Sequence, residues 1–455
     1  MPKQIRLNAF NMNCAVHQSP GLWRHPRDRS TEYTSMAWWL HLAKELERGF
    51  FDGMFLADVT GIYDVYGGNS RAALRGGIQV PLNDPFMLVP AMAAVTEHLG
   101  FGITGNLTCE PPHTFARRFS TLDHLTAGRV GWNIVTGYLN SAARAQGQAK
   151  QTAHDTRYDI AAEYMALMYK LWEGSWEDDA VRLDRTAGVY VDPDKVHRVQ
   201  HEGEWFHLDA IHLSEPSPQR TPVLFQAGTS TKGVAFAGRH AECVFVGANS
   251  RHGMVPVTQN IRANAVAAGR RAEDIAIFAM LTVVVDDTDA LARDRLEEYR
   301  RYASPEGALT LLSGWSGVDF SDCDPEEPLR FVKNDAIQTM LSPVSRSNPE
   351  QVWTVGRAAT HYALGGASPV LVGSPTTVAE EMIAWVETAG VDGFNLTYTV
   401  APESITGFID RVVPELQNRG AYKTSYGPGT LREKLFARGP RLSSPHPAAA
   451  YRHPV

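Results

Sequence analysis

Cysteine is scarce in this chain. Four residues of 455, Cys14, Cys109, Cys243 and Cys323, lie far apart with no C-x-x-C pair. That spacing excludes a disulfide-stapled fold and a Cys/His structural zinc site, and no metal is expected. Excess positive charge is missing too: 43 Lys+Arg stand against 50 Asp+Glu, a net charge of −7, which argues against a broad nucleic-acid footprint. The segment from Met1 to Asn8 has a base or two but no apolar stretch behind it, so no signal peptide is expected. No apolar run approaches the roughly 18 residues of a membrane span, and a cytoplasmic protein is expected. The sequons at Asn106 and Asn395 lie in strand-like apolar contexts and read as chance occurrences. G-x-x-x-x-G-K-[ST], H-E-x-x-H and G-x-S-x-G are absent, and the one G-x-G-x-x-G, Gly100 to Gly105, falls on an expected strand and not at a strand-to-helix turn, so the chain has no nicotinamide dinucleotide site of the usual kind.

What is present is ordinary globular composition, 44% hydrophobic and 20% charged, arranged as short apolar runs alternating with amphipathic stretches. This is the pattern of repeated strand-helix units around a parallel sheet. Strands are expected at 5–10, 52–57, 101–108, 130–136, 223–226, 242–246, 275–285, 369–372 and 393–397. Helices intervene, the first with Met36, Trp39, Leu40, Ala43 and Leu46 on one face before Gly49. A helix is also expected over 85–98. About eight such units match a (β/α)8 TIM barrel with insertions. The expected organisation is a single domain over 1–437, interrupted by a hairpin-bearing excursion at about 174–215 and a Gly/Ser/Pro/Asp-rich loop at about 303–350. The latter would act as a lid, and 438–455 would form a C-terminal extended arm.

Barrel enzymes carry their chemistry at the C-terminal ends of the strands. The polar residues there are Asn11, Asn13, Cys14 and His17 after the first strand, then Asp58 and Tyr63, Thr104, Asn106 and Thr108, and Thr136 and Tyr138. Some of them satisfy loop backbone; their gathering on one face is the signal. Cys14 reads as a small lining residue more readily than as a nucleophile. His17 suits proton exchange, since an unperturbed imidazole titrates near neutrality, with a packing role as the alternative. The run Gly228-Thr229-Ser230-Thr231-Lys232-Gly233 ends a strand, turns, and offers hydroxyls and amides where a helix begins, as a phosphate cradle does and as an ordinary N-cap also would. His154, Arg157 and Tyr158 could reach the same anion.

Further residues carry a resemblance. LNAFNMNC (7–14), GLWRHP (21–26), FDGMFLAD (51–58), STLDHLTAGRVGWN (120–133), HDTRY (154–158), EPSPQRTP (215–222) and GVDGFNL (390–396) resemble the bacterial-luciferase-like flavin monooxygenases. The similar group is that of the nitrilotriacetate, dibenzothiophene-sulfone, long-chain-alkane and alkyl-sulfide oxygenases. The resemblance implies a barrel that uses reduced FMN, supplied by a separate NADH-dependent flavin reductase, with O2 as co-substrate. It implies that Asp58, Thr104 and Asn106 line the isoalloxazine ring and that Tyr158 with Gly228, Thr229 and Ser230 holds the phosphate, His154 and Arg157 nearby. His17, Tyr63 and Tyr138 would face the reacting edge as the catalytic set, Tyr138 also meeting the cofactor, with Cys14 and Trp315 lining the substrate pocket. Many members have Ser-His or Ser-Leu where this chain has Gly137-Tyr138, and alkane oxygenases are similar except for histidines at Tyr138 and near Leu311. The runs SGWSGVDF (313–320) and DPEEPL (324–329) resemble the alkyl-sulfide branch, which implies oxygenation of dimethyl sulfide to methanethiol and formaldehyde. Alternatives are an alkane, sulfone or natural-product substrate, a deazaflavin-dependent oxidoreductase, or a flavin binder without turnover. A homodimer or homotetramer is expected.

Overall fold

The computed structural model describes residues 3–228, 230–247, 250–329 and 353–453. Its framework is a ring of parallel strands. The ring contains β1 (Arg6–Met12), β2 (Gly53–Ala57), β3 (Gly100–Asn106) and β4 (Val130–Val135). After an excursion holding β5 (Val181–Asp184), β6 (Val189–Val191), β7 (Val199–Glu202) and β8 (His207–Ala210), it resumes with β9 (Val223–Ala227), β10 (Cys243–Val246) and β11 (Ala276–Val285). β12 (Val370–Gly373) and β13 (Gly393–Thr397) follow, and β13 pairs with both β11 and β1 to close the barrel.

The strand at 370–373 is not a stave of the ring. β11 is ten residues long; its first part is paired in the barrel with β10 and β13, while Thr282 to Val285 runs on and pairs with β12. Nine expected strands thus resolve into eight staves and one added strand. Inside, Phe10, Phe55, Phe225, Phe245 and Phe278 stack edge to face or offset, with Phe225 and Phe245 parallel at 5.4 Å. Gly131 leaves room for them, because a Cβ there would lie 2.3 Å from the Phe225 ring. The short helix Leu431–Phe436 closes the N-terminal end, with Leu431 and Leu435 joining this aromatic cluster and Arg6 donating to the Leu435 carbonyl. With one end sealed by packing, the open end lies where the strands finish.

Several expectations are corrected. Over 85–98, Pro90 and a loop reduce the helix to a 3-10 turn Pro85–Met87 and the short helix Val89–Ala93. The excursion at 174–215 carries two hairpins, β5–β6 and β7–β8, where one was expected. The stretch read as a loop from 303 begins with a buried helix, Pro305–Ser316, capped by Ser304 and ended by left-handed Gly317. Residues 330–350 of that expected lid lie outside the described residues. The arm beyond 437 packs against helix His154–Gly174, where Arg441 and Arg452 both reach the fully buried Glu173 carboxylate.

Candidate active site

The loop after β1 dips back into the mouth of the barrel. It brings Cys14 and His17 below the surface, both 2% exposed. Cys14 Sγ lies 3.2 Å from the Val16 carbonyl, and burial pushes the thiol far above its usual range, so it stays protonated. That chemistry is a lining residue's. His17 meets the Phe10 ring edge to face at 4.4 Å, and burial lowers its imidazole to about 3. The near-neutral titration expected from sequence gives way to a neutral ring at physiological pH. Asp58, at the end of β2, moves the other way: burial, then the charge of Asp84, pushes its carboxyl up to about 7.

Tyr63, Tyr138 and Trp315 come from three separate segments and meet in one hydrogen-bonded cluster. The two phenol oxygens are 2.7 Å apart, and Trp315 Nε1 donates to the Tyr63 oxygen at 3.1 Å. Tyr63 donates to Gln79 Oε1 at 3.0 Å, and Gln79 Nε2 donates to the His17 carbonyl at 2.8 Å. Gln79 therefore ties the tyrosine pair to the His17 loop. It is held at φ +51°, a left-handed conformation that side chains seldom adopt, and its neighbours fix it there. Around the cluster pack Val16, Leu139, Leu311, Leu312 and Phe320.

On the adjacent staves, Asn133 Nδ2 donates to Thr104 Oγ1 at 2.9 Å. Asn106 Oδ1 accepts from the Thr108 amide and hydroxyl at 3.0 and 2.8 Å. The Asn106 carbonyl oxygen is thus committed to its own turn. Its amide nitrogen faces Gly137, where a Cβ would stand 3.1 Å away.

A second constellation gathers beyond β9. Ser230 caps helix Thr231–His240 by accepting from the Gly233 amide at 3.1 Å. The Tyr158 hydroxyl hangs over this turn: a Cβ on Gly228 or Gly233 would lie 3.2 or 2.8 Å from it. Burial raises the Tyr158 phenol, while hydrogen bonds with Ser230 and Gln226 and the charge of Arg157 partly oppose that. Gln226 Oε1 is buried with no partner among the described residues. His154 packs edge-on against Tyr158 at 5.3 Å and reaches Asp155 at 2.8 Å, and buried Arg157 donates to the Thr152 carbonyl at 2.9 Å. Thr229 lies outside the described residues. Small residues, a capped helix N-terminus and a phenol have the chemistry that a phosphate cradle needs.

Sequence reasoning missed three side chains here, Asn133 on β4 among them. Gln226 ends a strand and was discoverable by the strand-end rule; Gln79 sits in a loop, G-G-I-Q-V-P, with nothing local to single it out. Among the described residues there is no group of His, Cys, Asp and Glu that could hold a metal, and no helix long and apolar enough to cross a membrane.

The barrel with polar groups crowding its C-terminal mouth and a cradle beyond β9 defines an enzyme class. Residues 22–393 match the luciferase-like monooxygenase family, and the chain belongs to it. It is a flavin-dependent monooxygenase. The chain is 51% identical to the dimethyl-sulfide monooxygenase of Hyphomicrobium sulfonivorans, over 99% of this chain and 94% of that one. The crystal structure of that organism's DmoA superposes with a TM-score of 0.93, covering 99% of this chain and 96% of the other. The long-chain alkane monooxygenase of Geobacillus thermodenitrificans is 45% identical over 100% and 99% of the two chains. A riboflavin lyase solved with modified FMN and riboflavin is 38% identical with a TM-score of 0.93, over 99% and 100%.

Proposed function

We propose that this chain is the oxygenase of a two-component system that uses reduced FMN and O2 to hydroxylate a small neutral thioether, dimethyl sulfide being the expected substrate. The observation that carries this reading is the buried cluster of Tyr63, Tyr138 and Trp315 inside a shell of Val16, Leu139, Leu311, Leu312 and Phe320, an apolar surround suited to a small uncharged molecule. Similarity to the dimethyl-sulfide oxygenase supports the same choice.

The residues fit the cofactor. The space that a Cβ on Gly228 or Gly233 would fill, the Ser230-capped helix and the Tyr158 hydroxyl suit the phosphate. Gln226 Oε1 and Asn133 Oδ1, without a partner among the described residues, offer buried acceptors along the barrel mouth. Asp58, Thr104 and Asn106 would border the ring system. Bound reduced FMN supplies the two electrons that activate O2. In the overall reaction a C–H bond next to sulfur becomes C–OH, the second oxygen atom leaves as water, and the hemithioacetal falls apart to methanethiol and formaldehyde.

The chain's own part is to position and to dry. The shell around Tyr63 keeps water from the reacting groups, and His17, neutral at physiological pH, offers a hydrogen-bonding ring rather than a standing positive charge. An NADH-dependent flavin reductase and a homo-oligomeric assembly belong to the same reading. A second substrate, a long alkane, is favoured by the 45% identical relative. The test is a panel of dimethyl sulfide and medium and long alkanes, turned over with a separate reductase and NADH, with products read by gas chromatography. Methanethiol from dimethyl sulfide supports the proposal; alcohols from long alkanes alone would replace it with the second reading.

A further inference from the structure

The direction of every proton in the tyrosine cluster can be worked out from donors and acceptors that have no choice. The His17 carbonyl can only accept, so the Gln79 atom 2.8 Å from it is the amide nitrogen. Gln79 Oε1 can then only accept, and Tyr63 donates its single proton there, at 3.0 Å. Trp315 Nε1 can only donate, and it donates to the Tyr63 oxygen at 3.1 Å. Tyr63 has no proton left for Tyr138, 2.7 Å away, so Tyr138 is the donor in that bond. The titration directions agree: the mutual bond raises Tyr138 and lowers Tyr63, as it should when Tyr138 gives and Tyr63 receives.

We infer that Tyr138 is a specificity-determining hydrogen-bond acceptor, which favours ligands carrying an O–H, N–H or S–H and disfavours strong acceptors that have no donor, such as sulfoxides, sulfones and carboxylates; a thioether sulfur accepts too weakly to be selected against. Tyr63 and Gln79 are positioning residues, since their polar atoms are spent inside the chain and serve to commit the Tyr138 proton. This rests on the placement of substrate at the barrel mouth proposed above. It adds a chemical consequence: hydroxylation at carbon yields an O–H that Tyr138 can accept, whereas oxygenation at sulfur yields only another acceptor. A strong acceptor without a donor would set its own desolvated oxygen against the Tyr138 oxygen with no proton between them, a mismatch that costs affinity in a buried site.

The test compares two probes of similar size, 2-propanol and dimethyl sulfoxide, by ligand-observed NMR titration of the full chain without flavin and loaded with oxidised FMN. The expected result is 2-propanol binding tighter by about tenfold, the effect of one buried polar mismatch. Tyr138→Phe should erase the preference. Tyr63→Phe should reverse it, because the Tyr138 proton is then free to turn toward the ligand; near-ultraviolet circular dichroism checks that each variant is folded. Equal affinities, tighter dimethyl sulfoxide, or no binding of either probe to the wild-type chain overturns the inference. If the ranking holds but FMN does not bind, the oxygenase reading falls and the acceptor assignment stands.

Discussion

Filling the cradle beyond β9 with a single methyl group separates cofactor binding from stability. Gly233 lies in the first turn of helix Thr231–His240, where alanine is favoured over glycine by about 1 kcal/mol on helix propensity alone. A Cβ there would stand 2.8 Å from the Tyr158 hydroxyl and 2.9 Å from Ser230 Oγ, and only 3.5 Å from the Gly228 carbonyl carbon. The first two are side-chain ends that can move aside, so Gly233→Ala should fold with a Tm within a few degrees of the parent. Moving them aside removes the two hydroxyls from the proposed phosphate position. Hydrogen bonds to a charged group contribute about 1.5–3 kcal/mol each, so losing even one should weaken FMN roughly 10- to 150-fold. Isothermal titration with FMN, oxidised and reduced, reads this directly. Lys232→Ala is the control: its ammonium pairs with the exposed Asp159 carboxylate, and its removal should change affinity no more than about twofold. Unchanged FMN affinity in folded Gly233→Ala would refute the assignment of the cradle.

Other outcomes follow from the same geometry. His17→Ala should leave FMN binding close to wild type yet collapse product formation; normal coupled turnover in that variant removes His17 from the chemistry. Asp58 is raised on folding to about 7 from an ordinary carboxyl near 4, so its favourable contribution is complete below about pH 4 and fades as pH rises through 7. Asp58→Asn should therefore gain in Tm relative to wild type between pH 4 and 8, and a difference that stays flat across that window contradicts the burial argument. Glu173 is fully buried between Arg441 and Arg452, so Glu173→Ala should destabilise the fold by about 3 kcal/mol and open the arm to trypsin at Arg441 or Arg452. Resistance equal to the wild type would show that the arm is held by other contacts.

Much of the barrel was legible because its strands are short apolar runs with period-2 or fully buried patterns, and these need no tertiary information to recognise. The ninth strand shows the limit of that reading. Val370–Gly373 is as apolar as a stave, and only the register, with Thr282 opposite Val370, reveals that it pairs with the overhang of β11. Helix Pro305–Ser316 was hidden by its composition, although Ser304-Pro305 and Gly317 are a start and a stop signal and Ala308, Leu311, Leu312 and Trp315 recur at helical spacing. Of the site, the strand-end rule brought Cys14, Asp58, Thr104 and Asn106 to one face because position along a strand dictates which end a side chain occupies. The union of Tyr63, Tyr138 and Trp315 depends on two loops meeting helix Pro305–Ser316, which no local pattern encodes. Gln79 shows this most plainly: its function lies in two partners 16 and 62 residues away, Tyr63 and His17.

The central claim is that this chain, given reduced FMN and O2, oxygenates an alkyl sulfide. The most direct measurement is a single turnover: the chain mixed anaerobically with one equivalent of reduced FMN and dimethyl sulfide, then exposed to oxygen with no reductase present. The account predicts flavin reoxidation that differs from free flavin in the same buffer, with methanethiol and formaldehyde formed together in equal amounts and at most one of each per flavin. Reoxidation at the buffer rate with neither product would contradict it.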